Sequence, residues 1–214
     1  MSHWFSKQML EFNFLPSYTL HSSRVSDYMC GHMDSEFQLL PNWNAAFHRK
    51  CSQTILKTFG LCGVTDKNKG DLAIALLQGS KLDSLAQCVG VSIVAPALIM
   101  SISGESVREY QHRFGGPLMS YIRRNGLRYV SEFSLSNASE IPENLEKLKV
   151  IGYCTLLSSL QVADASITKR FELKLPSGVT ETASPVSSQQ AWKLCTAILK
   201  DTEPAWYSSF LEIH

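Results

Sequence analysis

The chain has 214 residues, a formal net charge of +1, 44% hydrophobic residues and only 18% charged ones. It is too apolar and too nearly neutral to be intrinsically disordered, and it lacks the excess of positive charge that phosphate binding demands. It is long enough to bury about 70% of its unfolded surface without a disulfide or metal staple, so residues 1–214 are expected to form one domain.

In chain order, Glu11 to Leu20, with Phe12, Phe14, Leu15, Pro16 and Tyr18, predicts an extended segment ending in a turn. His21 to Met33 reads as loop or short helix. From Asn42 the four-residue spacing of Trp43, Phe47, Cys51 and Ile55 predicts a helix, capped by Asn42 and ended by Gly60. Gly63 to Gly70 is a polar loop. Asp71 is placed to cap a short helix through Leu72, Ile74 and Leu77, closed by Gly79. Leu82, Leu85, Ala86 and Val89 continue helical, up to Ile102, with Pro96 marking a kink or a fresh helix start.

Ser103 to Phe114 is amphipathic, and Gly115-Gly116-Pro117 breaks it. Leu118 to Asn125 predicts a helix ended by Gly126, followed by an extended Leu127 to Leu135. Ile141-Pro142 opens a longer helix with Leu145, Leu148, Gly152, Leu156 and Leu160 inward. Lys169 to Leu175 alternates Phe171, Leu173 and Leu175 with Arg170, Glu172 and Lys174, the pattern of a strand, and Val179 to Thr182 is placed to pair back as a hairpin. A last helix runs from Ser188 to Leu199, and Trp206 to Ile213 is a short terminal piece. The expected fold is mainly α, a compact helical domain with one short strand or hairpin around 169–182.

The N-terminus has no apolar block or cleavage site of a secretory signal. The apolar run Val89 to Ile102 has 14 residues, short of the roughly 18 to 20 that cross a bilayer. A cytoplasmic location is expected. The six cysteines (Cys30, Cys51, Cys62, Cys88, Cys154, Cys195) are irregularly spaced, which suits free, buried thiols in a reducing compartment.

The residues themselves bear on several sharper readings. Leu85 to Ser92 has the spacing of a helix-turn-helix, with Gly90 as its turn, yet the second helix, Ser92 to Leu98, offers no Arg, Lys, Asn or Gln to read bases. His21, Cys30, His32, His48 and Cys51 contain one close pair, Cys30-Gly31-His32, which is not a zinc site. Gly60 to Gly70 lacks the G-K-[ST] ending of a phosphate loop, and no hydrolase or dinucleotide signature is present. No catalytic, cofactor-binding or metal-ligating residue is assigned. A cysteine nucleophile with a distant histidine stays open as the alternative, and a helix-turn-helix protein as a weaker one. Arg108, Arg113, Arg123, Arg124 and Arg128 stand against Glu109 alone, and Glu132, Glu140, Glu143 and Glu146 follow. These are either solvated faces that pair with one another or a polar docking surface for a protein.

The order of features resembles the YscK/SctK family of type III secretion accessory proteins. The likeness lies in Phe14-Leu15-Pro16 with Leu20-His21, in Asn44-Ala45-Ala46 opening the first long helix, and in Leu82 to Ile102 with central Val89-Gly90, followed by Ser103 to Arg123. It also lies in Lys169 to Pro176, followed by the C-terminal helix. The resemblance implies a mainly helical, non-enzymatic adaptor without a cofactor, monomeric when isolated. Its implied protein partners are the cytoplasmic domain of the injectisome's inner-membrane ring protein and the C-ring-like scaffold protein that holds the stalk regulator and ATPase. It implies no nucleic acid and no membrane insertion. The five arginines are the expected partner-binding residues.

Overall fold

The computed structural model describes residues 3–25, 45–65, 69–100, 103–135 and 140–211. Ten α-helices run through them in the order α1 His3–Phe14, α2 Ala45–Thr58, α3 Lys69–Ala75, α4 Gly79–Met100, α5 Gly104–Phe114, α6 Gly116–Phe133, α7 Leu145–Ser159, α8 Ala165–Leu173, α9 Ser188–Thr202 and α10 Pro204–Leu211. No strand occurs among the described residues. The proposed cap Asn42 lies outside them.

The hub is α4, an unbroken 22-residue helix with twelve buried residues. It is long and apolar enough to cross a bilayer, but 67% of its most apolar stretch is buried inside the protein. Pro96 neither kinks it into two pieces nor starts a new helix; it lies in the last five residues, buried among Val94, Ala95 and Leu98. Gly90 is likewise no turn, which removes the helix-turn-helix geometry. Here α4 crosses α7, its most extensive neighbour. A Cβ on Gly90 would overlap the Leu148 carbonyl oxygen, and one on Gly152 would overlap the Ala86 carbonyl oxygen and sit 2.6 Å from its carbon. Each helix thus uses a glycine to lay its backbone on the other. Around this crossing α3, α9 and the ends of the chain build the main core, while the C-terminal half of α4 forms a second core with α5 and α6.

Three other expectations are corrected. The N-terminal segment is helical, not extended: Phe5 and Phe12, seven residues apart, share one buried face, and only Pro16 to Thr19 turn as a 3-10 segment. Gly126 does not end α6, nor does an extended run follow it. Gly126 is buried inside the helix against the Ala95 side chain, and the helix continues to Phe133, where Ser134 takes a left-handed conformation. Lys169 to Leu175 is no strand but mostly the last turns of α8, and Val179–Glu181 is a 3-10 turn instead of a hairpin arm. Ile167, Arg170, Phe171 and Lys174 are buried at helical spacing, and Leu173 and Leu175 are buried beside them, so the two cations do not face water as strand alternation requires. Helix α7 starts at Leu145, capped by Asn144, just after the predicted Ile141-Pro142 opening. Helix α9 begins where expected, with a capping box between Ser187 and Gln190.

Candidate docking site

The α5–α6 hairpin carries the five arginines. Its sharp connection depends on Gly115, whose φ of +88° suits glycine, and on Pro117 in the first turn of α6. Helix geometry then sends the arginines in different directions. Arg113 turns toward the protein: it pairs with Glu109, donates to the Pro142 carbonyl at 3.2 Å and stacks over Tyr110 and Phe114. Arg128 leans toward α9, paired with Asp201 and lying 4.7 Å over the Tyr129 ring. The Tyr129 hydroxyl also donates to Asp201 and accepts from Tyr121 at 3.1 Å. Burial, then that bond to Asp201, pushes the Tyr129 phenol up to about 12. Arg113 and Arg128 therefore brace the fold. Arg108, Arg123 and Arg124 are exposed, and Arg124 also reaches its own helix at the Ser120 carbonyl.

Arg123 borders an apolar groove of about 200 Å³ where α5 and α6 meet the end of α4. Its floor and walls are Leu98, Ile99, Val107, Tyr110, Met119 and Ile122, with Leu127 at the edge, 69% exposed. Among the described residues no carboxylate lines it. The sequence showed the arginines but not the groove, because its residues come from three helices.

A second set of cations escaped sequence reading altogether. Lys174 is buried and donates to the carbonyls of Ala75 at 2.5 Å and Leu77 at 3.3 Å, where α3 ends. Arg170 donates to the Asn13 carbonyl at the end of α1, at 3.1 Å. Arg24 donates to the Leu175 and Pro176 carbonyls just past α8 and pairs with Glu172 at 3.8 Å. Lys174 and Arg170 satisfy carbonyls at helix ends, which lack intrahelical partners, and Arg24 ties down the loop that follows α8. Arg170 and Lys174 also face the Phe12 ring, at 5.8 and 5.2 Å. The one available signal was two cations four residues apart on the same helical face as Ile167 and Phe171.

The candidate histidines and thiols take ordinary structural places. His48 Nδ1 lies 3.0 Å from the Ser17 hydroxyl, and its ring stacks on Tyr18 at 4.0 Å. His21 Nδ1 accepts from the Ser23 amide. Burial lowers both imidazoles. Cys30 and His32 lie outside the described residues, among which no three metal-binding side chains group together. Burial raises the thiols of Cys51 and Cys154, pushes Cys88 up to about 11 and Cys195 up to about 12. That is opposite to the activation a nucleophile needs. Cys62 is the exposed thiol among those described. Iodoacetamide at neutral pH should alkylate Cys62 at least roughly ten-fold faster than these four. Peptide mapping against time checks this, and comparable rates for Cys88 or Cys195 would contradict the burial.

Neither a curated protein nor a solved structure matches the chain. The family model described as YOP proteins translocation protein K (YscK) matches residues 8–210, from the second turn of α1 to the last turn of α10. The match covers nearly the whole helical body, so the chain belongs to the YscK family of type III secretion proteins.

Proposed function

We propose that the protein is a non-enzymatic adaptor of the type III secretion sorting platform. It works at the cytoplasmic face of the inner membrane as one helical unit spanning residues 1–214. It links the cytoplasmic domain of the inner-membrane ring protein to the C-ring-like scaffold protein, and through that scaffold to the ATPase complex. The family match along nearly the whole helical body is the observation that carries this reading. The α5–α6 hairpin is the proposed dock for one partner. Arg108, Arg123 and Arg124 supply its polar contacts, and Arg113 and Arg128 hold its shape. Exposed charges of this kind steer encounter and fix register more than they add affinity.

Binding each partner is the direct test. The full chain, co-expressed separately with the scaffold protein and with the inner-ring cytoplasmic domain of the same secretion system, should co-purify with each. Failure with either one removes the linking role. Reversing Arg123 and Arg124 to Glu should weaken one partnership by roughly ten-fold or more and leave the other intact.

A further inference from the structure

We infer that the groove between α4, α5 and α6 receives a short amphipathic helix of a partner protein, carrying carboxylates beside its apolar face. The inference rests on the adaptor reading and names what that adaptor grips. The groove is lined by seven apolar residues and Arg123. Its volume of about 200 Å³ exceeds that of a cavity able to hold a benzene ring, roughly 150 Å³, so it takes one or two large apolar side chains. Among the described residues the backbone offers no sheet edge for an added strand, and a short groove walled by apolar side chains from three helices suits an amphipathic helix that lays its apolar face in it. Two apolar residues one turn apart on such a helix fill the space.

Charge selects the partner. Arg123 stands in the lining, and Arg108 and Arg124 are exposed next to the liners Val107 and Arg123. Of the hairpin's carboxylates, Glu109 is occupied by Arg113, and the exposed Glu105 and Glu132 do not line the groove. Carboxylates flanking the incoming apolar face therefore meet guanidinium groups, and a basic helix is repelled.

A second copy of the chain fits worse. In a symmetric dimer the same arginines face each other across the contact.

The probes are fluorescent 18-residue peptides tiling the scaffold protein and the inner-ring cytoplasmic domain, titrated against the full chain by anisotropy. The expected result is a binding peptide with apolar residues one turn apart and carboxylates beside them. Leu127→Glu, at an exposed position that leaves folding intact by circular dichroism, should weaken it at least ten-fold. Arg123→Glu should weaken it as well, and a peptide with its carboxylates changed to lysine should then bind the variant better than the parent chain. Three results would overturn the inference: no tiled peptide binds, the binder is basic, or binding is indifferent to Leu127→Glu. Concentration-dependent dimerisation abolished by Leu127→Glu would overturn it in favour of a second copy. If Leu127→Glu leaves co-purification with both whole partners unchanged, the groove inference fails while the adaptor reading stands.

Discussion

Replacing Gly152 with alanine is expected to destabilise the protein by roughly 3 kcal/mol or more, a fall in Tm of about 10 °C for a chain of this length. Alanine would ordinarily gain about 1 kcal/mol over glycine inside a helix. Here the new methyl has no room, because the obstacle is the Ala86 carbonyl with its carbon and Cα, and a helix backbone cannot rotate aside as a side chain can. Helices α4 and α7 must separate, loosening the packing of Leu85, Val89, Leu148 and Leu156, all essentially buried. Gly90→Ala meets the facing Leu148 carbonyl, with the nearest other atoms at 3.2 and 3.3 Å, and should cost less than Gly152→Ala. Gly104→Ala, at the exposed start of α5 with nothing within 4 Å, is the control and should be neutral or slightly stabilising. Thermal and urea unfolding of the three variants measure the order. Equal stability of Gly152→Ala and the parent would mean that the two helices do not cross at these glycines.

The second large effect is a pH dependence set by Lys174. Burial alone pushes its ammonium down to about 7, while its two carbonyl acceptors keep a donor in place. In the unfolded chain the same group titrates near 10.4. Between these values the unfolded state binds the extra proton, so stability rises with pH. Below about pH 7 both states carry the charge and the curve is flat in this residue. Between pH 6 and pH 8.5 the gain is about 2 kcal/mol. Above that, the buried thiols oppose it: Cys88 and Cys195 stay protonated in the fold to about 11 and 12, while unfolded thiols ionise near 8.5, so stability turns down again. Lys174→Met should remove the rise and keep the downturn. It should also lose stability at pH 8.5, because the Ala75 and Leu77 carbonyls lose their donor. Urea unfolding from pH 6 to 9.5 separates the two limbs. A rise that persists in Lys174→Met would assign it to another group.

Much of the helical content was legible in the sequence, because long amphipathic or apolar runs such as Leu82 to Leu98 and Ser188 to Leu199 carry their own periodicity. The errors cluster where local pattern and tertiary demand diverge. Lys169 to Leu175 satisfies two periodicities at once. Reading it as a strand rested on the assumption that Arg170 and Lys174 face water. They are buried because carbonyls 157 and 99 residues away need donors, a requirement no local window contains. Gly90 and Gly126 looked like punctuation, and only the helix lying across each one shows it to be a contact. At the site, the Arg113 pairing with Glu109 is a neighbour relation along one helix and could be read directly. The pairing of Arg128 with Asp201, 73 residues away, could not.

The linking role predicts a bridge, and the most direct measurement is size-exclusion chromatography with light scattering on three purified components: this chain, the scaffold protein and the inner-ring cytoplasmic domain. The expected result is a ternary complex containing all three, with no complex between scaffold and ring domain when this chain is left out. If the two partners compete for the chain, or associate equally well without it, the protein does not link them.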